Sequence, residues 1–276
     1  MSDGPVEDGL VIPEVGAWSR RKYHFLGRYL QAFTTAMKGK PQWKELHYID
    51  LFSGAGVAKL RGSGQLVYSS ALLAAQTENP FTQLHLCDAN QDNVSALAAR
   101  LAKFPQPMPP RILQGDANQL IHKLLEPVPA RDALCMTFVD PFGLHFDFDT
   151  ARAIATRRSD LLVLFADSMD ALRNWSAYYN ENPNSSLDRF MGESGWRTLL
   201  DKPKQKAAQE LRSRYREQLK KIGYEYFREV PVANANDRDI YTLLFASRAK
   251  IAVQIWDKLS LKDEFGQQSL RFDSPE

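Results

Sequence analysis

The feature that most limits what this chain can become is the stretch His47-Tyr48-Ile49-Asp50-Leu51-Phe52-Ser53-Gly54-Ala55-Gly56. His47 to Leu51 reads as a short buried strand that runs into a turn of small residues. The two glycines admit backbone angles, and a closeness of approach, that a side chain would block. A strand that stops in such a turn is where an open α/β sheet receives a nucleotide-like ligand, because the carboxyl ends of the strands open onto a crevice. The stretch has neither the third glycine of the dinucleotide fingerprint nor the lysine of a phosphate loop. The rest of such a pocket must come from elsewhere in the chain.

Three later segments repeat the pattern of a strand ending on an acid. Phe81 to Asp88 alternates and stops at Asp88, where a carboxylate can accept ribose hydroxyls or cap a helix expected over Asn90 to Lys103. Arg111 to Ala117 ends in Gly115-Asp116, an acid in reach of an adenine amine or a plain turn before a helix. Ala133 to Val139 is apolar enough for a central parallel strand, and Pro141 holds Asp140 extended at its end. Asp140-Pro141-Phe142 can hold an amine by a hydrogen bond and stack a flat ring on the aromatic face. A fifth apolar run, Asp160 to Phe165, makes five strands alternating with helices, the pattern of a doubly wound sheet.

The remaining segments are less specific. Residues 18–37 have helical spacing, and Lys22, Tyr23 and His24 on that helix either cap the mouth of the pocket or, the favoured reading, carry solvated charge on a helix packed against the sheet. Lys59 to Gly64 reads as a polar, turn-rich excursion, and Ser69 to Gln76 as a short helix. His145, Asp147 and Asp149 alternate, but a loop with a helix N-cap suits them better than a metal site, and no metal is expected. Residues 167–222 turn helical and include Trp175. The last helix there, Gln205 to Lys221, carries Lys206, Arg212, Arg214, Arg216, Lys220 and Lys221, a basic face that is either solvated or meets nucleic acid. Residues 224–232 and 239–247 read as a hairpin joined by residues 233–238, before a final helix.

Composition sets the outer limits. The chain has 276 residues, 44% hydrophobic and 25% charged, enough for one large core. A net charge of +2 decides nothing about nucleic acid. Cys87 and Cys135 lie in apolar strand-like runs, as small buried hydrophobes of a reducing, cytoplasmic protein. No run is long enough to span a membrane, and the start does not read as a signal peptide. The expected organisation is a loose lead-in over 1–17, a core over 18–166, a helical insertion over 167–222, a hairpin and helix over 223–260 completing the core, and a tail over 261–276.

In this order of parts the chain resembles a class I S-adenosylmethionine-dependent methyltransferase. That resemblance implies a doubly wound, mostly parallel seven-stranded sheet with a C-terminal antiparallel hairpin. It also implies a cofactor site of Asp50, Phe52, Ser53, Gly54 and Gly56, with Asp88 and Ala89 at the ribose, Asp116 and Ala117 near the adenine, and an active site of Asp140, Pro141 and Phe142. Relatives that act on exocyclic amines usually have two prolines where this chain has Pro141 alone. More closely, the chain is similar to the three-Cys-motif partner (TcmP) family. The matching pieces are residues 22–33, 48–56 and 69–72, Val139-Asp140-Pro141-Phe142-Gly143, Leu187-Asp188-Arg189-Phe190-Met191-Gly192 with Trp196, and residues 241–247. Two departures are Ser70 where proline is usual, and Ala55 between the glycines. The resemblance implies a genomic partner carrying three cysteines. The expected activity is methyl transfer from S-adenosylmethionine to a nucleic-acid base or another amine. The alternative is a non-catalytic partner of the same shape.

Overall fold

Two runs without a charged residue facing solvent, Ala133–Val139 and Ser159–Phe165, lie side by side as parallel strands, buried along almost their whole length. Such strands need cover on both faces, and helices supply it. The structure is a computed structural model that describes residues 4–167, 171–174, 178–233 and 239–260. The expectations for Trp175, for the 234–238 connection and for the 261–276 tail lie outside the described residues.

In chain order the elements are β1 (Glu14–Val15), α1 (Ser19–Met37), β2 (Glu45–Asp50), β3 (Val57–Leu60), β4 (Leu66–Tyr68), α2 (Ser70–Ala75), β5 (Gln83–Asp88), α3 (Gln91–Leu101), β6 (Arg111–Gln114), α4 (Ala117–Leu125), β7 (Ala133–Val139) and α5 (Phe148–Ile154). They continue with β8 (Ser159–Phe165), α6 (Leu172–Asn174), α7 (Ser186–Met191), a 3-10 turn (Gly195–Leu199), α8 (Lys204–Lys221), β9 (Tyr226–Ala233), β10 (Asp239–Ser247) and α9 (Lys250–Ser260). The main sheet has seven strands in the order β6-β5-β2-β7-β8-β10-β9. The first five are parallel, and β10 runs antiparallel to both β8 and β9. One core, with Leu26, Tyr29, Leu97 and Trp256, joins α1, α2, α3 and α9 to one face; the other, with Ile121, Phe148, Phe190 and Tyr215, joins α4, α5, α7 and α8 to the opposite face. This is the expected doubly wound sheet with its C-terminal hairpin.

Two expectations need correction. Lys59 to Gly64 is turn only from Arg61 onward, the connection of a hairpin in which β3 and β4 pair antiparallel; β1 adds to β3 in parallel, making a second, three-stranded sheet. The described part of the lead-in is also tied down, since Arg100 binds the Asp8 carboxylate and the Val11 carbonyl. Buried polar pairs fix other elements. Tyr29 donates to Asp160 at 2.7 Å, and Ser247 donates to the same carboxylate at 2.5 Å, locking α1 and β10 to the start of β8. Arg212 of α8 binds Asp167 and Glu229, and Arg216 binds the other oxygen of Glu229. Much of the basic character of α8 is therefore internal to the fold.

Candidate functional site

β2 sits between β5 and β7, and the chain leaves it toward α2 on one face, whereas β7 is followed by α5 on the other. A crevice opens at the carboxyl ends of strands where such crossovers part. The structure brings the predicted acids to this edge: Asp50 ends β2, Asp88 ends β5, Asp116 follows β6, and Asp140 follows β7.

Gly54 and Gly56 both have positive φ, +61° and +85°, which accounts for the two glycines. They are not equivalent. A Cβ on Gly56 would come within 3.0 Å of Leu97 and 3.1 Å of Leu72, so this glycine serves packing. A Cβ on Gly54 would meet nothing within 4 Å, so this one faces open space. The turn is fastened to the next strand: Ser53 donates from its N–H and from its hydroxyl to the Cys87 carbonyl, at 2.9 and 3.0 Å, and Gly54 N–H donates to Asp88 at 2.8 Å. Phe52 packs against the core beside it.

Asp88 also accepts from Asn90 N–H at 2.9 Å and from Asn93 Nδ2 at 3.0 Å. A carboxylate has about four lone-pair sites, so roughly one is left for a ligand hydroxyl rather than the two expected. The cap of α3 is Asn90, not Asp88, which frees the acid from the helix-capping alternative. Asp116 does cap its helix, α4, through the Asn118 N–H at 2.8 Å, and stays exposed at the edge. Ala89 is exposed, whereas Ala117 is buried in the core, so only its backbone can meet a ligand.

Asp50 is wholly buried. Burial pushes its carboxyl up to about 7, against hydrogen bonds from Ser70, the Phe52 N–H and Tyr48, while the charge of Asp140 adds to the rise. Asp140 itself is met by Lys22, which is 5% exposed and ion-paired to Asp140 Oδ2. Burial opposes the lysine's charge, but the Asp140 carboxylate more than offsets it and holds Lys22 above the ordinary lysine value. The Lys22 ammonium also lies 4.7 Å from the centre of the Tyr23 ring. The favoured sequence reading of solvated charge on α1 therefore fails at Lys22, which sits at the mouth of the crevice. Tyr241 joins this group: its hydroxyl is buried without a hydrogen-bond partner among the described residues, and it feels the charges of Lys22 and Asp140. Sequence reasoning missed its role, because an aromatic in a hairpin strand gives no sign of which strand end it will reach. Pro141 is buried, and Phe142 is 87% exposed.

The alternating His145, Asp147 and Asp149 do not converge. Asp147 binds Arg189 and Asp149 binds Arg152, and no three His, Cys, Asp or Glu side chains gather in metal-binding distance among the described residues. Cys87 and Cys135 are buried free thiols, both pushed up to about 12 by burial. A cavity of about 620 Å³ lies away from the strand ends, lined by Asn180, Asn184, Glu193 and Arg197 among others. We assign the site to the strand ends instead, because Asp188, one of the acids that line the cavity, is already saturated by Ser185, Trp196 and Arg197. No described helix is long and apolar enough to cross a membrane.

No family model and no curated protein matches the chain. Among solved structures it is similar to protein LPL1258 from Legionella pneumophila, described under the family model DUF519, at 11% identity and a TM-score of 0.53, covering 90% of this chain and 95% of that one. Two further likenesses are the O-methyltransferase TomG from Streptomyces achromogenes, solved in complex with SAM (16% identity, TM-score 0.48, 84% and 81% covered), and an O-methyltransferase from Bacillus cereus in complex with SAH (9%, 0.47, 80% and 80%). At such identities the likeness is one of fold alone. That fold, five parallel strands wound on both sides and closed by an antiparallel hairpin at one edge, is class I methyltransferase-like.

Proposed function

We propose that this chain binds S-adenosylmethionine at the carboxyl edge of the sheet and transfers its methyl group to an amine, a nucleic-acid base among the candidates. One observation carries the reading: Gly54, open to space, is hydrogen-bonded to the strand-end acid Asp88, while Asp140 and an exposed Phe142 stand at the end of the neighbouring strand β7. The donor set fits the cofactor. Gly54 would let it approach the backbone, Asp88 has about one lone-pair site for a ribose hydroxyl, and the exposed carboxylate of Asp116 would accept from the adenine amine. The cofactor supplies an electrophilic methyl on a sulfonium, so the protein's task is chiefly alignment. Asp140 accepts the acceptor's N–H with the oxygen that Lys22 leaves free, and takes up the proton after transfer. Phe142 gives a face on which a flat acceptor stacks. If the acceptor is a base in a duplex, it must be extruded to reach Asp140.

The resemblance to the TcmP family belongs to this proposal. Its Leu187-to-Gly192 motif with Trp196 has a structural use, since Asp188 gathers Ser185, Trp196 and Arg197 into one hydrogen-bonded corner. One observation favours the second reading, a non-catalytic partner that acts with a three-cysteine protein or binds nucleic acid: Lys22 already occupies one oxygen of Asp140. Calorimetric titration with S-adenosylmethionine, on the intact protein and on Asp88→Ala, tests the first. Binding that Asp88→Ala weakens at least about tenfold supports it. No heat from the intact protein would sink it. Transfer of labelled methyl to DNA, RNA or protein then separates enzyme from binder.

A further inference from the structure

The glycine turn is held from one more side, by a residue outside the strand ends. Arg100, in the last turn of α3, is 2% exposed, and its Nη1 donates to the Ala55 carbonyl at 2.6 Å and to the Val11 carbonyl at 2.9 Å. Its Nε and Nη2 grip the two oxygens of Asp8 at 2.9 and 2.7 Å. A planar guanidinium bound in this way to a carboxylate has its direction fixed. The hydrogen bond with Arg100 holds the Asp8 carboxyl down at about 2, so the clamp stays charged through the neutral range.

The consequence lies in the Ala55–Gly56 peptide. In a planar trans peptide the C=O and N–H point in opposite directions. Fixing the Ala55 oxygen on Arg100 therefore fixes the Gly56 N–H away from Arg100. Neither that N–H nor the one of Ala55 has a partner among the described residues. Successive free N–H groups in a turn with left-handed residues form a concavity suited to an anionic group, here the carboxylate of an amino-acid moiety.

We infer that Arg100, clamped by Asp8, is a positioning residue for the ligand-binding turn, and that residues 8–11 support the cofactor site through it. This rests on the reading of the turn as the seat of S-adenosylmethionine. Asp8 reaches that seat through Arg100 and touches no ligand itself. Removing the clamp leaves the sheet intact and lets the Ala55–Gly56 peptide rotate.

The test uses the full chain as wild type, Asp8→Asn and Arg100→Lys, with two readouts. The first, made without cofactor, is amide exchange at Ser53 and Gly54, whose N–H groups are bonded to Cys87 and Asp88. The second is the calorimetric Kd for S-adenosylmethionine. In Asp8→Asn we expect exchange at these two amides and the Kd each to rise about tenfold, beyond the uniform rise at amides of β7 and β8 that follows from the stability lost with the buried Arg100 unpaired. Arg100→Lys, which keeps the charge and loses the fork, behaves the same way. Faster exchange with unchanged affinity makes Arg100 a mere anchor of the N-terminal segment and overturns the inference, as does no change in either readout. A wild type that binds no cofactor defeats the methyltransferase reading, and the inference about the cofactor site with it; exchange that still rises then separates a real clamp from a wrong ligand.

Discussion

At the scale of single residues, the sheet buries groups whose charge states it must control. His47 and His85 face each other across β2 and β5 at 3.0 Å, with Glu45 on the far nitrogen of His47. Burial, helped by the charges of His47 and Arg111, pushes His85 down to about 3. Because its folded value lies below the unfolded one, the unfolded chain binds the extra proton between these values. The neutral histidine's contribution is thus complete above about pH 6.5 and is lost as pH falls toward 3. Between pH 7 and pH 5 the wild type should lose about 1–2 kcal/mol more stability to urea than His85→Gln does, a comparison in which the opposite pull of Asp50 and Asp160 cancels. The same pH dependence in wild type and His85→Gln would show that His85 is not held neutral. Asp50 works in the opposite sense: raised to about 7, it favours the folded state while protonated and ceases to do so as pH rises through neutrality. At Gly56 the cost is steric. Gly56→Ala must hold φ at +85° and push into Leu72 and Leu97, for a loss of about 1–3 kcal/mol in unfolding experiments.

At the scale of elements, α8 shows how a basic helix can mislead. Arg212 and Arg216 converge on Glu229, and Arg212 also reaches Asp167, 1% exposed beneath the helix. Arg212→Gln takes the cation from that buried carboxylate, to which Thr242 still donates, and should cost about 3 kcal/mol of stability. Lys204 and Lys206 stand exposed, without carboxylate partners among the described residues. If α8 meets nucleic acid, Lys204→Gln and Lys206→Gln should lower affinity and flatten its salt dependence while leaving the melting temperature alone. Unaltered binding in both variants would move the interface elsewhere. The parallel strands were legible because four of the five are short runs with an acid at or just past the end and the fifth is apolar throughout its second half, a signal carried by neighbouring residues. β3 and β4 were not. Lys59, Arg61, Gly62 and Gly64 read as loop, and the hairpin acquires its partner, β1, from about 40 residues upstream. The same limit hid the site's long-range pairs, Lys22 with Asp140 and Arg100 with Asp8, since no local pattern announces which carboxylate a lysine or arginine will find.

At the scale of the molecule, the candidate site gathers two sets of residues that interleave along the chain. On the proposed function, the cofactor half would belong to β2, β5, β6 and the lead-in held by Arg100, and the acceptor half to β7, the first turn of α1 and Tyr241 of the hairpin. The two halves should therefore respond separately to mutation. A ligand held only by the folded state at 100 times its Kd adds about 2.7 kcal/mol, a rise of roughly 5 °C or more for a domain of this size. Lys22→Met should keep that rise, because Lys22 lies outside the cofactor half, yet lower methyl transfer about a hundredfold by leaving Asp140 without the partner that aims it. Lys22→Arg should recover part of the lost rate. If Lys22→Met instead abolishes the thermal shift, the ion pair supports cofactor seating, and the division is wrong. If it leaves the rate untouched, Asp140 needs no positioning from α1, and the burial of a charged lysine at the crevice mouth belongs to the stability of α1 on the sheet.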